Sequence, residues 1–206
     1  MPQAQALPQT APSLTAVLFG LSGCLVDFGA RAQRHDNPLA EYAQVTPGAL
    51  DSLSSLQRQQ VPCAWLDELP LAVSHALACA LPQWVKPAQH PASLNPWPAP
   101  NACWQALMSL NVERLDGCVL VSGEPRLLQS ALNAGLWTIG LASCGSLCGL
   151  PPEQWQALSP QERDSKRARA TMQLFGLGVH SVIDHLGELD TCLADINLRR
   201  LKGEKP

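Results

Sequence analysis

The chain has 206 residues and a formal net charge of −3, with 46% hydrophobic and 15% charged residues. An average domain carries about 25% charged residues, so the composition excludes an intrinsically disordered chain. The slightly acidic balance excludes a general nucleic-acid binder, which needs a basic face.

Met1 to Pro12 is rich in Gln, Ala and Pro and has no basic residue. It lacks the charged start and apolar run of an export signal. Residues 1–13 read as a flexible N-terminal tail. No run of about 18 apolar residues occurs, so no membrane span is expected. The expected location is the cytoplasm.

Thr15 to Phe19 is a short apolar run ending at Gly20, the pattern of a buried strand. Gly23 and Gly29 punctuate a loop, and residues 30–44 are polar and weakly patterned. Thr46-Pro47-Gly48 predicts a helix start, with Thr46 as cap and Pro47 in the first turn. Leu50, Leu53 and Leu56 are expected on its inner face. Val61 to Trp65 predicts a second strand, and Leu71 to Leu81 a helix. Residues 82–100 hold six prolines, which excludes a continuous helix and predicts an irregular connection. Trp104, Leu107 and Met108 form the apolar stripe of a helix ending near Asn111.

Cys118 to Ser122 reads as another buried strand. Pro125 opens a helix with Leu127, Leu128, Ala131 and Leu132 inward, closed by Gly135. Leu136 to Ala142 predicts a strand and 145–152 a loop. Ser159-Pro-Gln-Glu162 is a capping-box pattern for a helix to about Phe175. His180 to Ile183 predicts the last strand. Leu186, Leu189, Leu193 and Ile196 mark the final helix, whose basic end (Arg199, Arg200, Lys202) complements the helix dipole.

Alternation of strand and helix means crossover units, hence a mostly parallel sheet covered on both faces: an α/β three-layer sandwich with a Rossmann-like sheet. Ligands on such sheets sit beyond the C-terminal strand ends. That directs attention to Gly20–Cys24, Leu66–Glu68 and Ser122–Glu124.

The eight cysteines are scattered through apolar stretches and read as buried reduced thiols. Cys144 and Cys148 lack the second ligand pair of a zinc site, and His35, His75, His90, His180 and His185 show no metal-type spacing. No metal ligand is predicted. His180 and His185, flanking the last strand, read as structural.

Several segments carry a family resemblance. Asn133 to Ala142, Ser159 to Arg163 and His180 to Asp184 resemble phosphonoacetaldehyde hydrolases of the haloacid dehalogenase (HAD) superfamily. Gly23 and Val26-Asp-Phe-Gly29 are similar to that family's first loop, and Val45-Thr-Pro-Gly48 to its first core helix. The resemblance implies a HAD-like core over 14–206. It also implies an aspartyl nucleophile after the first strand, magnesium held by carboxylates, and a lysine on an inserted cap domain that forms a Schiff base. At the matching positions this chain departs from the family. The nucleophile position is Gly20. Leu21 and Ser22 follow, with Cys24 in place of a threonine. The hydroxyl of the second motif falls near Trp65 or Leu66, the basic residue of the third on Trp97, and the fourth motif on Ser122-Gly123-Glu124 and Leu127. Only residues 30–44 stand where a cap would be inserted, too few for a domain. No lysine precedes Lys86.

The reading is therefore a hydrolase-related protein without its cap, without a catalytic residue at the family position, and with no cofactor expected. It would serve as a binding or regulatory scaffold for an unknown small molecule or protein, with neither nucleic acid nor membrane as partner and a homo-oligomer open. The degenerate pocket comprises Leu21, Ser22, Gly23, Leu66, Trp97, Ser122, Gly123 and Glu124. Two alternatives stand beside it. One is a hydrolase or phosphatase of changed mechanism, with Cys24 or Asp27 as nucleophile. The other is a protein-interaction module in which Leu21, Trp65, Leu66 and Trp97 form an exposed patch, unless they collapse into a filled pocket. Glu124 is expected to be solvated or to cap the following helix, and Asp67 and Glu68 to precede a helix.

Overall fold

The computed structural model describes residues 13–34, 40–88 and 95–206. The expectations for the tail residues 1–12, for 35–39 and for 89–94, with His35 and His90, lie outside the described residues.

Three strands are apolar at every position or nearly so, and all three are fully buried: β1 (Ala16–Gly20), β4 (Cys118–Ser122) and β5 (Trp137–Leu141). A strand buried on both faces is the signature of a parallel sheet covered by helices. With β2 (Cys63–Leu66), β3 (Lys86–Pro87) and β6 (Ser181–Ile183), they form one parallel sheet of order β3-β2-β1-β4-β5-β6. The strand order reverses between β1 and β4, the place where such sheets open a crevice.

The period of two sorts each strand between two cores. Val17, Phe19, Val119, Val121 and Ile139 pack on one face with Leu53 and Leu56 of α1 (Ala49–Arg58), Leu77 of α2 (Leu71–Leu77), and Leu189, Leu193 and Ile196 of α7 (Leu189–Leu201). Ala16, Leu18 and Leu120 pack on the other with α3 (Asn101–Ser109), α4 (Pro125–Asn133) and Leu174 of α6 (Pro160–Gly176). The three-layer sandwich follows. No helix among the described residues is long and apolar enough to cross a membrane.

Several local expectations need correction. Thr46 does not cap α1 with its side chain. Its hydroxyl donates to the Cys24 carbonyl, tying α1 to the loop after β1, and Gly48 takes the cap position. Leu50 is 43% exposed, because Ala49, Leu53 and Leu56 already define the inner face. On α3 the buried residues are Ala102, Cys103, Ala106 and Leu107, while Trp104 and Met108 face outward. Small residues let α3 sit close to its neighbours, and Trp104 instead donates its indole N–H to the Ala134 carbonyl at 3.2 Å.

The proline-rich connection contributes β3, which pairs with β2 through Ala64 and Trp65. The expected loop after β5 gives way at Pro152 to a short helix, α5 (Pro152–Ala157), with proline in its first turn. The basic end of α7 does more than face a dipole. Arg200 is buried and grips Asp116 at 2.8 Å, and Arg199 stacks on the Trp137 ring at 4.8 Å. The Ser159–Glu162 capping box is present as expected.

Only fifteen residues separate Gly29 from Val45. Their described part forms two single 3-10 turns, Arg31–Arg34 and Ala40–Ala43, so no cap domain is inserted there.

Candidate functional site

The crevice position lies where β1 ends beside β4. Register places Gly20 opposite Leu66 of β2 and, one step beyond the Phe19–Val121 pair, beside Ser122. A Cβ added at Gly20 would stand 2.6 Å from Ser122 Oγ and 3.4 Å from Leu127 Cδ2. The space that a side chain would use is thus already filled. Ser122 Oγ is held there by accepting from the Glu124 N–H at 3.0 Å.

Backbone fills the crevice around Gly23, Gly123 and Gly145, while a cavity of about 250 Å³ remains at its rim, lined among others by Asp67, Glu68, Trp97 and Glu124. A Cβ at Gly123 would lie 2.4 Å from Gly145 Cα and 2.5 Å from the Gly23 carbonyl oxygen. The Gly29 N–H donates to the Cys144 carbonyl at 2.8 Å, and the Ser146 N–H to the Gly123 carbonyl at 3.3 Å. Three connections therefore meet main chain to main chain, and only glycine permits that approach. Leu21, Trp65, Leu66 and Trp97 are all buried. Of the two arrangements open for them, the structure has the filled pocket and not the exposed patch.

Asp27 is fully buried with a left-handed backbone, φ 57°. Its Oδ2 accepts from Ser22 Oγ at 2.7 Å and from the Ala32 N–H at 2.8 Å, and Arg31 Nε lies 3.6 Å from its Oδ1. It organises the short segment that follows the loop after β1. Cys24 is also fully buried, and its Sγ donates to the Val121 carbonyl at 3.4 Å. Burial, and next the neighbouring Cys144, push this thiol well above its ordinary range. Burial likewise pushes Cys144 up to about 12. Cys148 donates to the Ala142 carbonyl at 3.0 Å. Among the described residues no group of three His, Cys, Asp or Glu side chains is arranged to hold a metal ion.

An acidic rim lies at the ends of β2 and β4. Glu124 caps α4 by accepting from the Arg126 N–H at 3.2 Å, while its other oxygen accepts from Ser146 Oγ at 3.0 Å. Glu68 accepts from Arg126 at 3.1 Å and from the Trp97 N–H, and Arg126 also donates to the Trp97 carbonyl. Trp97 is thus a buried indole with a salt bridge beside it. His180 is built into the sheet edge. Its Nδ1 accepts from the Thr138 N–H at 3.0 Å, and burial, then Arg199, lowers its pKa. His185 accepts from the Gly187 N–H at 3.2 Å and caps a turn.

Asp67 stands out on this rim. It is 8% exposed, its Oδ1 accepts from the Leu69 N–H at 3.0 Å, and its buried Oδ2 has no hydrogen-bond partner among the described residues. Burial raises its pKa from 3.8 to about 6. A carboxyl raised in the fold contributes stability that is fully present below about pH 4 and lost as pH rises through about 6. With about 1.4 kcal/mol per unit, the penalty at pH 8 is at most about 3 kcal/mol. Asp67→Asn keeps the acceptor for Leu69 and removes the charge. It is expected to raise Tm at pH 8 by roughly 2–8 °C and to change it little at pH 4. Thermal unfolding at both pH values checks this, and an equal effect at the two would contradict it.

A separate cavity of about 410 Å³ lies beyond the ends of β5 and β6, between the loop after β1, the start of α1, α5 and α6. Phe28, Trp155, Arg31, Arg163 and Arg167 line it. Sequence reading missed it. The available signal was Arg163 and Arg167, four residues apart on a helix and so on one face.

Known proteins place this architecture. No family model matches the chain. It is 37% identical over 109 residues to a phosphonoacetaldehyde hydrolase of Klebsiella pneumoniae, covering 53% of this chain and 40% of that one. It is 28% identical over 178 residues to a phosphonoacetaldehyde hydrolase of Salmonella enteritidis, covering 82% of this chain and 64% of that one. The chain thus spans less than two thirds of the length of either relative.

Among solved structures, one chain 64% identical superposes with a TM-score of 0.91, over 94% of this chain and 100% of its own. A phosphonoacetaldehyde hydrolase-like protein from Oleispira antarctica, 23% identical, superposes with a TM-score of 0.85 over 98% of this chain and 99% of its own. A HAD family hydrolase from Deinococcus radiodurans with bound phosphate and sodium, 19% identical, gives 0.61 over 90% of this chain and 97% of its own. End-to-end superposition and the sequence relatives converge: the chain is phosphonoacetaldehyde hydrolase-like, with the fold of the HAD superfamily.

Proposed function

We propose that this protein has kept the hydrolase core and lost hydrolysis, and that it works as a binding or regulatory scaffold. The observation that carries this reading is the 2.6 Å between a Cβ built at Gly20 and Ser122 Oγ. The position from which the family's carboxylate would attack phosphorus has neither a side chain nor room for one.

The other candidates are committed elsewhere. Asp27 is enclosed by Ser22, Ala32 and Arg31. The Cys24 thiol is fully buried and held protonated at neutral pH, whereas the attacking species is a thiolate. The residues do not fit magnesium either. Glu124 spends its oxygens on Arg126 and Ser146, and the remaining family positions hold Gly20 and Leu127. No step through a metal is derived. In the family such a group acts as a unit, and losing one member of a catalytic unit costs about 10⁴–10⁶ in rate.

The test is an assay of the purified chain with phosphonoacetaldehyde and with an aryl phosphate, magnesium present. No turnover above buffer is expected, and chelation of divalent ions is expected to leave Tm unchanged. Magnesium-dependent turnover that disappears in Glu124→Ala, or a Tm loss of several degrees on chelation, overturns the reading.

A further inference from the structure

The cavity beyond β5 and β6 shares no lining residue with the crevice: Gly20, Leu66, Trp97 and Ser122 to Glu124 all lie outside it. At about 410 Å³ it falls within the roughly 300–1,000 Å³ of small-molecule pockets. One wall is apolar. Phe28 and Trp155 meet there with ring centroids 6.2 Å apart, and Val45 and Pro47 extend the surface.

The lining also includes α6, which contributes Arg163 and Arg167 one helical turn apart. Their charge balance differs. Arg167 is held by Asp164 at 2.6 Å and by Asp184. Arg31, also in the lining, lies 3.6 Å from Asp27 and stacks over Tyr42 at 4.2 Å. Arg163 has no ion pair among the described residues, and its solvent-shielded Nε, like that of Arg167, has no hydrogen-bond partner there. A guanidinium nitrogen removed from water without a partner is costly, and a bidentate oxyanion is the ligand that satisfies it. With the other two arginines matched by carboxylates, Arg163 is the cation left to meet a ligand. The aromatic wall of the same cavity calls for an apolar body on the same molecule.

We infer that this cavity binds a small organic oxyanion carrying an aromatic or compact apolar body, of the class of aryl phosphonates and aryl carboxylates, with Arg163 as the anion anchor and Phe28 and Trp155 as the apolar wall. The inference rests on the reading of the protein as a binder rather than a hydrolase, and the two are separated by their readouts.

Calorimetric titration of the full chain with phenylphosphonate tests it. Binding is expected, tighter than for inorganic phosphate, which lacks the apolar body, and tighter than for benzylammonium, which has the wrong charge. Arg163→Ala is expected to weaken phenylphosphonate by about tenfold or more. Arg169→Ala, exposed on the same helix and outside the cavity, leaves affinity unchanged. Trp155→Ala, a second lesion on the aromatic wall, also weakens binding, so the inference does not hang on one variant. Absence of binding, equal binding of benzylammonium, or affinity unchanged in both cavity variants overturns it. Phosphate release from phosphonoacetaldehyde, measured separately, would defeat the non-hydrolytic reading while leaving the titration result standing.

Discussion

Gly20→Asp, which places a carboxylate at the end of β1 where the sequence resemblance puts a nucleophile, is expected to destabilise the protein by about 3–5 kcal/mol and to yield no phosphatase activity. The Cβ alone meets Ser122 Oγ at 2.6 Å and Ser122 Cβ at 3.3 Å. Relief by rotating Ser122 breaks its bond to the Glu124 N–H at the start of α4. The added carboxylate would then enter a region where Gly20's neighbours Leu127 and Phe19 are fully buried. Chemical denaturation measures the loss. Gly20→Ala, which adds only the Cβ, is expected to cost about 1–3 kcal/mol, with a smaller cost in a Ser122→Ala background. A Gly20→Asp protein as stable as the parent, or one that hydrolyses an aryl phosphate, would contradict the account of a filled position.

The second large effect is expected at Asp27. Removing the carboxylate in Asp27→Ala leaves Ser22 Oγ and the Ala32 N–H without their buried acceptor and takes away the charge 3.6 Å from Arg31 Nε, and breaking such a pair on one side costs about 3–5 kcal/mol. The alanine must also adopt φ 57°, which a short polar side chain tolerates better. Asp27→Asn keeps an acceptor and that tolerance, so about 1–2 kcal/mol is expected for it. The damage should be local first, with amide exchange accelerating in residues 21–34 before the central strands. Uniform acceleration over the whole chain, or no loss of stability, would argue against Asp27 as the organiser of this segment.

The sheet was readable from the sequence because its central strands run apolar without interruption, a pattern that only two-sided burial explains. The alternation of strands and helices, which puts ligands beyond the strand ends, then located the crevice. Glu124 as a cap, with Pro125 behind it, was legible from local chemistry alone. Other features were decided by tertiary contact. Trp104 and Met108 outweigh Ala102 and Ala106 in hydrophobicity, yet the small residues face inward because α3 lies close to its neighbours. Thr46 has the right identity for a cap but finds the Cys24 carbonyl first. The vacancy at Gly20 could be read as a missing oxygen. That Ser122 and Leu127 fill the place is a distance between two strands, which no single strand encodes. The cavity beside α6 stayed hidden for the same reason, since its walls come from segments as far apart as Phe28 and His185.

The contact of Gly23, Gly123 and Gly145 bears on how such a chain can change. Side chains can be swapped one codon at a time, but here the obstruction is peptide itself, contributed by three stretches that touch one another. No solitary replacement clears it, and a bulkier residue at Gly123 pushes against both of the others. Opening this crevice to a substrate would require coordinated retreat of several turns. Novelty is accordingly easier to acquire at a surface whose walls are ordinary side chains, each free to vary on its own.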